Sequence, residues 1–199
     1  MKEKLQELAE NMPRLAPEHA HDLWGLYRDG NRVRQIVDML VEPFTDVGLT
    51  AVVGGEARGF LLGGMASYAL GLPFIPVRKA GGYLPGPKVS EVSRPDWEGK
   101  TNRFQIQDGA LSERDRILVL DDWYTTGSQG SAIRRLVERA GATFAGAAVI
   151  VEEGNDCFPD LLGRFHALLR WSTPIECFQV SPFNLSLQEE DRMGLSVAS

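Results

Sequence analysis

ILVLDDWYTTGSQ, Ile117 to Gln129, decides how this chain is read. An apolar strand, Ile117–Leu120, runs into two adjacent acids, Asp121 and Asp122. A loop of small and hydroxylic residues follows, Thr125, Thr126, Gly127 and Ser128. Then a helix opens, with Ile133, Leu136, Val137 and Ala140 on its apolar face and Gly141 at its end. Such a segment suits a sugar phosphate. Loop amides and the helix N-terminus converge on an anion, and the hydroxyls add donors. Gly127 lets the backbone approach closely. The two carboxylates stand at the C-terminal end of a strand, the ligand edge of an open α/β sheet. They can accept hydrogen bonds from a ribose diol, and they would repel a phosphate set directly on them.

A similar unit lies upstream. Strand Ala51–Val53 leads through Gly54–Gly55–Glu56–Ala57–Arg58 to a helix from Gly59 to Leu70, and strand Phe74–Val77 follows. Phe144–Val151 completes the downstream unit. Strands alternating with amphipathic helices predict a twisted, mostly parallel sheet of about five strands with helices on both faces. Val33, Ile36, Val37, Leu40, Phe44 and Val47 give a helical period, with Asn31 as its N-cap. Met1 to Leu26 reads as helix in pieces, broken at Pro13. Residues 81–116, rich in Gly, Pro and charge, contain two alternating runs, Val89–Val92 and Arg103–Gln107, and read as a flexible hairpin. Leu161–Leu169 is expected to be a helix and Ile175–Val180 a last strand. The organisation is one domain over 1–185, with a helical N-terminal hood at 1–48, and a polar tail over 186–199.

Composition narrows the function classes. With 199 residues, 43% of them apolar, the chain can bury one sizeable core. A net charge of −6 argues against nucleic acid or an anionic membrane as partner, so an anionic ligand must be held locally. The two cysteines, Cys157 and Cys177, lack metal-ligand spacing and are too few for a disulfide framework, which points to a reducing cytoplasm. Met1–Met12 is charged throughout and is not a signal peptide. The uncharged stretch Gly59–Val77 carries glycines and prolines and reads as buried helix plus strand, not a membrane span. His19, His21 and His166 form no catalytic constellation with the cysteines.

Two further strings converge on the same sheet edge. In VVGGEARGFLLG, Val52–Gly63, a Gly-flanked turn projects Arg58 at a helix start. In LPFIPVRKAGGYLPG, Leu72–Gly86, a strand ends in Arg78–Lys79. Cations there suit a pyrophosphate leaving group and its Mg²⁺. Together the segments resemble the type I phosphoribosyltransferases, and EARGF and PVRK look like the adenine phosphoribosyltransferases. The resemblance spans Val52 to Glu152, with its motifs in the right order.

The resemblance implies an enzyme that binds phosphoribosyl pyrophosphate and transfers ribose 5-phosphate to a nitrogenous base, adenine first. By it, Asp121 and Asp122 hold the ribose hydroxyls, and Thr125, Thr126, Gly127, Ser128 and Gln129 cradle the 5′-phosphate. Glu56, Ala57, Arg58 and Gly59 bind pyrophosphate, with Arg78 and Lys79 beside them. Mg²⁺ enters with the substrate, near the acid pair and without direct protein ligands. A mobile loop closes over the site and brings a glutamate, for which Glu98 is the match, with Asp96 two residues away. Tyr27–Arg28–Asp29 stands for the hood string that encloses the base, and Glu152 for the opposite wall. Trp24, Trp123 and Phe158 are stacking candidates. A homodimer working in purine salvage is implied.

The chain also departs from the family pattern. Gln129 replaces a Thr or Ser, and Tyr83 replaces a pyrophosphate-binding lysine, for which Lys79 or Lys88 could substitute. Acids, Glu152, Glu153 and Asp156, stand where apolar residues are common. Two other functions stay open: a non-catalytic sensor of the same donor, and a transferase for a different base.

Overall fold

The computed structural model describes residues 2–15, 23–96, 98–153, 161, 164–172 and 177–181. Eight strands form one sheet: β1 (Ala51–Gly55), β2 (Phe74–Lys79), β3 (Lys88–Val92), β4 (Arg103–Gln107), β5 (Arg116–Tyr124), β6 (Thr143–Glu153), β7 (Phe165–Ser172) and β8 (Cys177–Val180). Their order is β3-β4-β2-β1-β5-β6-β7-β8. The five central strands pair in parallel. The hairpin β3–β4 adds to β2 antiparallel, and β8 adds to β7 antiparallel. The expected parallel core is present, and antiparallel strands extend it on both sides.

Alternation along each strand builds two cores. Val52, Leu118, Leu120, Ala148 and Ile150 face one layer, made by α1 (Lys2–Leu15), α2 (Gly30–Val41) and α3 (Arg58–Leu70). Val53, Ile117, Val119, Ala147 and Val149 face the other, where α4 (Ser128–Arg139) lays down Ala132, Ile133, Leu136 and Val137. Each fully buried Leu, Ile or Val contributes about 1.5–3 kcal/mol relative to exposure. Helices thus cover both faces. Among the described residues no helix is long and apolar enough to cross a membrane.

Several local expectations are corrected. Most of the segment expected as a helix at Leu161–Leu169 is strand β7. Its run Phe165–Leu169 is buried throughout, and a doubly buried strand has no alternation to reveal it. The N-cap of α2 is Asp29, whose carboxylate accepts from the amides of Asn31 and Arg32 at 3.0 and 3.2 Å, rather than Asn31. Helix α1 runs on through Pro13 to Leu15. Strand β5 does not stop at Leu120 but carries the acid pair to Tyr124, because Trp123 and Tyr124 still pair with Val151 and Glu152 of β6.

His166 ties the sheet to α2. It is fully buried on β7, and its Nε2–H donates to the Met39 carbonyl at 3.0 Å. Burial lowers its pKa to about 4, against the usual 6.5. The folded protein therefore keeps it neutral while the unfolded chain takes up a proton below about pH 6.5. Stability is lost as pH falls from there toward 4, by roughly 2–3 kcal/mol at pH 4.5. Denaturant titrations at pH 7.5 and 4.5 check this. His166→Gln is expected to be less stable at pH 7.5 but to lose less on acidification.

Candidate active site

Parallel pairing places the C-terminal ends of β1 and β5 on one edge. The chain turns there from β1 into α3, and from β5 into α4. Between these turns lies a cleft of about 460 Å³.

One wall is the start of α4. Gly127 caps it with φ 65° and ψ 5°, the left-handed conformation that glycine adopts without a Cβ clash. Its carbonyl accepts from the Ser131 amide at 2.9 Å, and the Ser128 amide donates to Thr126 Oγ1 at 3.3 Å. Thr125, Thr126, Gly127, Ser128 and Gln129 all line the cleft, so the residues expected to form a phosphate cradle are brought together. The floor is the acid pair, Asp121 and Asp122, only 4% and 2% exposed. Burial pushes both carboxyls up. The Asp122 charge pushes Asp121 further, and Arg58 partly offsets the rise at Asp122.

The opposite wall is the β1–α3 turn, with Glu56, Ala57 and Arg58 lining the space. Arg58 Nε reaches Asp122 Oδ2 at 2.5 Å. Gly59 sits close behind, where an added Cβ would lie 3.1 Å from Asp121 Oδ1. Lys79 also lines the cleft, but Arg78 does not. Arg78 forks onto Glu56 at 2.9 and 3.3 Å, and the Lys79 amide donates to the same carboxylate at 2.9 Å. Desolvation opposes ionisation of Glu56, but these donors outweigh it and hold its pKa below the usual value.

The hairpin supplies the roof. Ser93, Asp96 and Asn102 line the cleft. Ser93 and Asn102 close the tip on each other, amide to carbonyl at 2.8 Å and amide to hydroxyl at 2.9 Å. Glu98, the expected loop glutamate, does not line the cleft. It pairs with Lys100 at 2.5 Å, and Asp96 faces the cleft instead. The strands of the hairpin are clamped to α4, since Arg135 and Arg139 reach Glu91 at 3.2 and 3.3 Å.

The expected base-facing residues divide. Trp24, 53% exposed, and Trp123 line the cleft. Tyr27 packs against Trp24 with ring centroids 5.9 Å apart. Burial, and then the charges of Asp122 and Asp121, raise the Tyr27 hydroxyl pKa. Arg28 is exposed and away from the cleft lining. Glu152 is fully buried in an ion pair with Arg170 at 2.5 Å and accepts from Ser181 at 3.3 Å, so it joins strands rather than facing the cleft. Phe158 lies outside the described residues. Tyr83 is 83% exposed. Sequence reasoning missed Ser93 and Asn102. Their signal was two polar residues flanking the tip at matching steps from the two alternating runs.

An acid pair beside an amide-and-hydroxyl loop, with Arg58 on the neighbouring turn, defines the type I phosphoribosyltransferase class on this sheet. No family model matches the chain. Over 133 residues it is 41% identical to an adenine phosphoribosyltransferase of Desulfitobacterium hafniense, covering 67% of this chain and 75% of that protein. Against the one from Dinoroseobacter shibae it is 38% identical over 143 residues, 72% and 75% of the two chains. The crystal structure of adenine phosphoribosyltransferase from Rhodothermus marinus superimposes with a TM-score of 0.73 at 30% identity, covering 85% of this chain and 99% of that one. The Saccharomyces cerevisiae enzyme, complexed with an imino-altritol bisphosphate and adenine, gives 0.64 at 30% identity over 76% and 90%. The chain belongs to the adenine phosphoribosyltransferase family.

Proposed function

We propose that this chain transfers ribose 5-phosphate from phosphoribosyl pyrophosphate to adenine, releasing pyrophosphate, as a purine-salvage enzyme. One observation carries the reading: the phosphate-type loop, the buried acid pair, Arg58 and Lys79 all face a single cleft. A ring nitrogen of the base bonds to the anomeric carbon as the carbon–oxygen bond to pyrophosphate breaks. Pyrophosphate leaves with the electron pair, and the base gives up its proton. Charge builds on the ring carbon, as in glycoside cleavage. The chain's part is to hold the reactants in line, meet the departing charge with Arg58 and Lys79, and exclude water. Arg58 must leave Asp122 to do so, which frees that carboxylate for the ribose. Trp24 and Trp123 offer aromatic faces to the base, with Tyr27 behind them.

Mg²⁺ fits as a metal carried in by the donor. Most of its oxygen ligands would come from the diphosphate and water. Asp121 and Asp122 would lie nearest it, and it would neutralise charge on the leaving group. We further read the chain as a cytoplasmic homodimer. Its few cysteines support the compartment, and exposed Leu61 and Tyr68 on α3 support the second copy.

The hairpin tip is read as the lid. With β3 and β4 clamped to α4, only residues 93–102 need move. Hydrogen exchange at 93–102 is expected to slow when phosphoribosyl pyrophosphate and Mg²⁺ are added, while exchange in β3 and β4 stays unchanged. We read Asp96, which lines the cleft, as the group that takes the base proton. Asp96→Asn is expected to cut turnover by about tenfold or more, and Glu98→Gln by less than about twofold, with donor affinity kept in both.

A sensor that binds the donor without transfer is the second reading, favoured by exposed Tyr83 in the position of the family's lysine. Pyrophosphate release on mixing donor and adenine decides between them. An enzyme releases it continuously, and a sensor releases none.

A further inference from the structure

Gln129 departs from the family pattern, and its side chain does not turn toward the loop it belongs to. From the first turn of α4 it crosses to β5, where Nε2 donates to Asp121 Oδ2 at 2.5 Å. The other oxygen of that carboxylate, Oδ1, accepts the Asp122 amide at 3.0 Å. Each oxygen therefore has one donor fixed by the protein and one lone pair left. The path is fitted. A Cβ on Gly55 would lie 2.9 Å from Gln129 Nε2, and one on Gly59 would lie 3.1 Å from Asp121 Oδ1. Glycine on both sides leaves room for the amide and the carboxylate to meet. Gln129 and Asp121 also both line the cleft.

We propose that Gln129 is a positioning residue: its side-chain amide fixes the orientation of Asp121 and sets the ribose-binding carboxylate in register with the phosphate cradle of α4. The inference rests on the donor assignment above. A freely rotating carboxylate would offer its lone pairs in many directions, and a held one offers them in one. The Gln129 backbone belongs to the helix turn that faces the 5′-phosphate, and its side chain grips the group that faces the ribose hydroxyls. One residue thus spans two subsites of one ligand. A hydrogen bond to a charged acceptor is strong enough for its loss to be read as about a tenfold change in affinity.

Two ligands separate this role from mere support of the fold. Adenosine 5′-monophosphate carries the ribose diol, and its 2′,3′-dideoxy counterpart does not. Gln129→Met keeps the length and removes the donor. Calorimetry is expected to give about a tenfold weaker Kd for adenosine monophosphate in Gln129→Met, and a Kd within about twofold of wild type for the dideoxy nucleotide. Gln129→Glu sets a second carboxylate against Asp121 and is expected to show the same split, larger. It also serves if the Met variant fails to fold. Equal losses for both nucleotides, or no loss for adenosine monophosphate, would overturn the role of Gln129 while leaving the donor assignment standing. Wild-type protein that binds neither phosphoribosyl pyrophosphate nor adenosine monophosphate would overturn the donor assignment, and this role with it.

Discussion

Gly127→Val is expected to weaken binding of phosphoribosyl pyrophosphate by at least about 100-fold while the protein stays folded. Gly127 holds φ 65° at the head of α4. A β-branched residue there is a backbone outlier costing on the order of 1–3 kcal/mol, so the loop relaxes to another conformation. The amides from Thr125 to Gln129 then no longer converge on one anion, and the helix start no longer points at it. The core beneath does not depend on the turn, because Ile133, Leu136 and Val137 are buried one helical turn or more further on. Calorimetric titration measures the affinity, and circular dichroism checks the fold. An unchanged Kd would remove this loop from the phosphate site.

Asp121→Asn is expected to cut turnover by at least about 100-fold and to leave the melting temperature at pH 7 unchanged or raised. Asp121 is buried beside a second buried carboxyl, and burial followed by that neighbour's charge raises its pKa. A carboxyl whose folded pKa lies above its unfolded value opposes folding when ionised. The opposition fades as pH falls through the raised value, or when asparagine removes the charge. Function and stability therefore move in opposite directions, as expected of a pair kept for a ligand. Kinetics and a thermal melt on the same preparation test it. A variant that keeps wild-type turnover and melts several degrees lower would make the pair structural.

The parts of the fold that could be read from the sequence were those whose chemistry is local. Strand Ile117–Leu120, the acid pair and the TTGS loop form one continuous string, and the structure folds that string into one corner of the cleft. What escaped depends on partners remote in sequence. Strand β7 shows no periodicity because both its faces are covered. Trp123 and Tyr124 look like loop residues until β6 pairs with them. Glu152 looks like a cleft acid until Arg170, on the neighbouring strand, is seen to neutralise it. Asp96 and Glu98 are two residues apart, and only the turn held by the Asp96 carboxylate separates the one facing the cleft from the one facing Lys100. Gln129 reads as another member of a phosphate loop until its amide is found on Asp121.

This cleft is proposed to join the donor to adenine. The most direct measurement incubates the protein with phosphoribosyl pyrophosphate, Mg²⁺ and a panel of bases (adenine, hypoxanthine, guanine, xanthine, uracil and orotate) and reads new nucleotide by mass spectrometry. The expected result is adenosine monophosphate in amounts matching released pyrophosphate, with at least about tenfold less product from any other base. Nucleotide formed from a different base alone, or from none while the donor still binds, would contradict it.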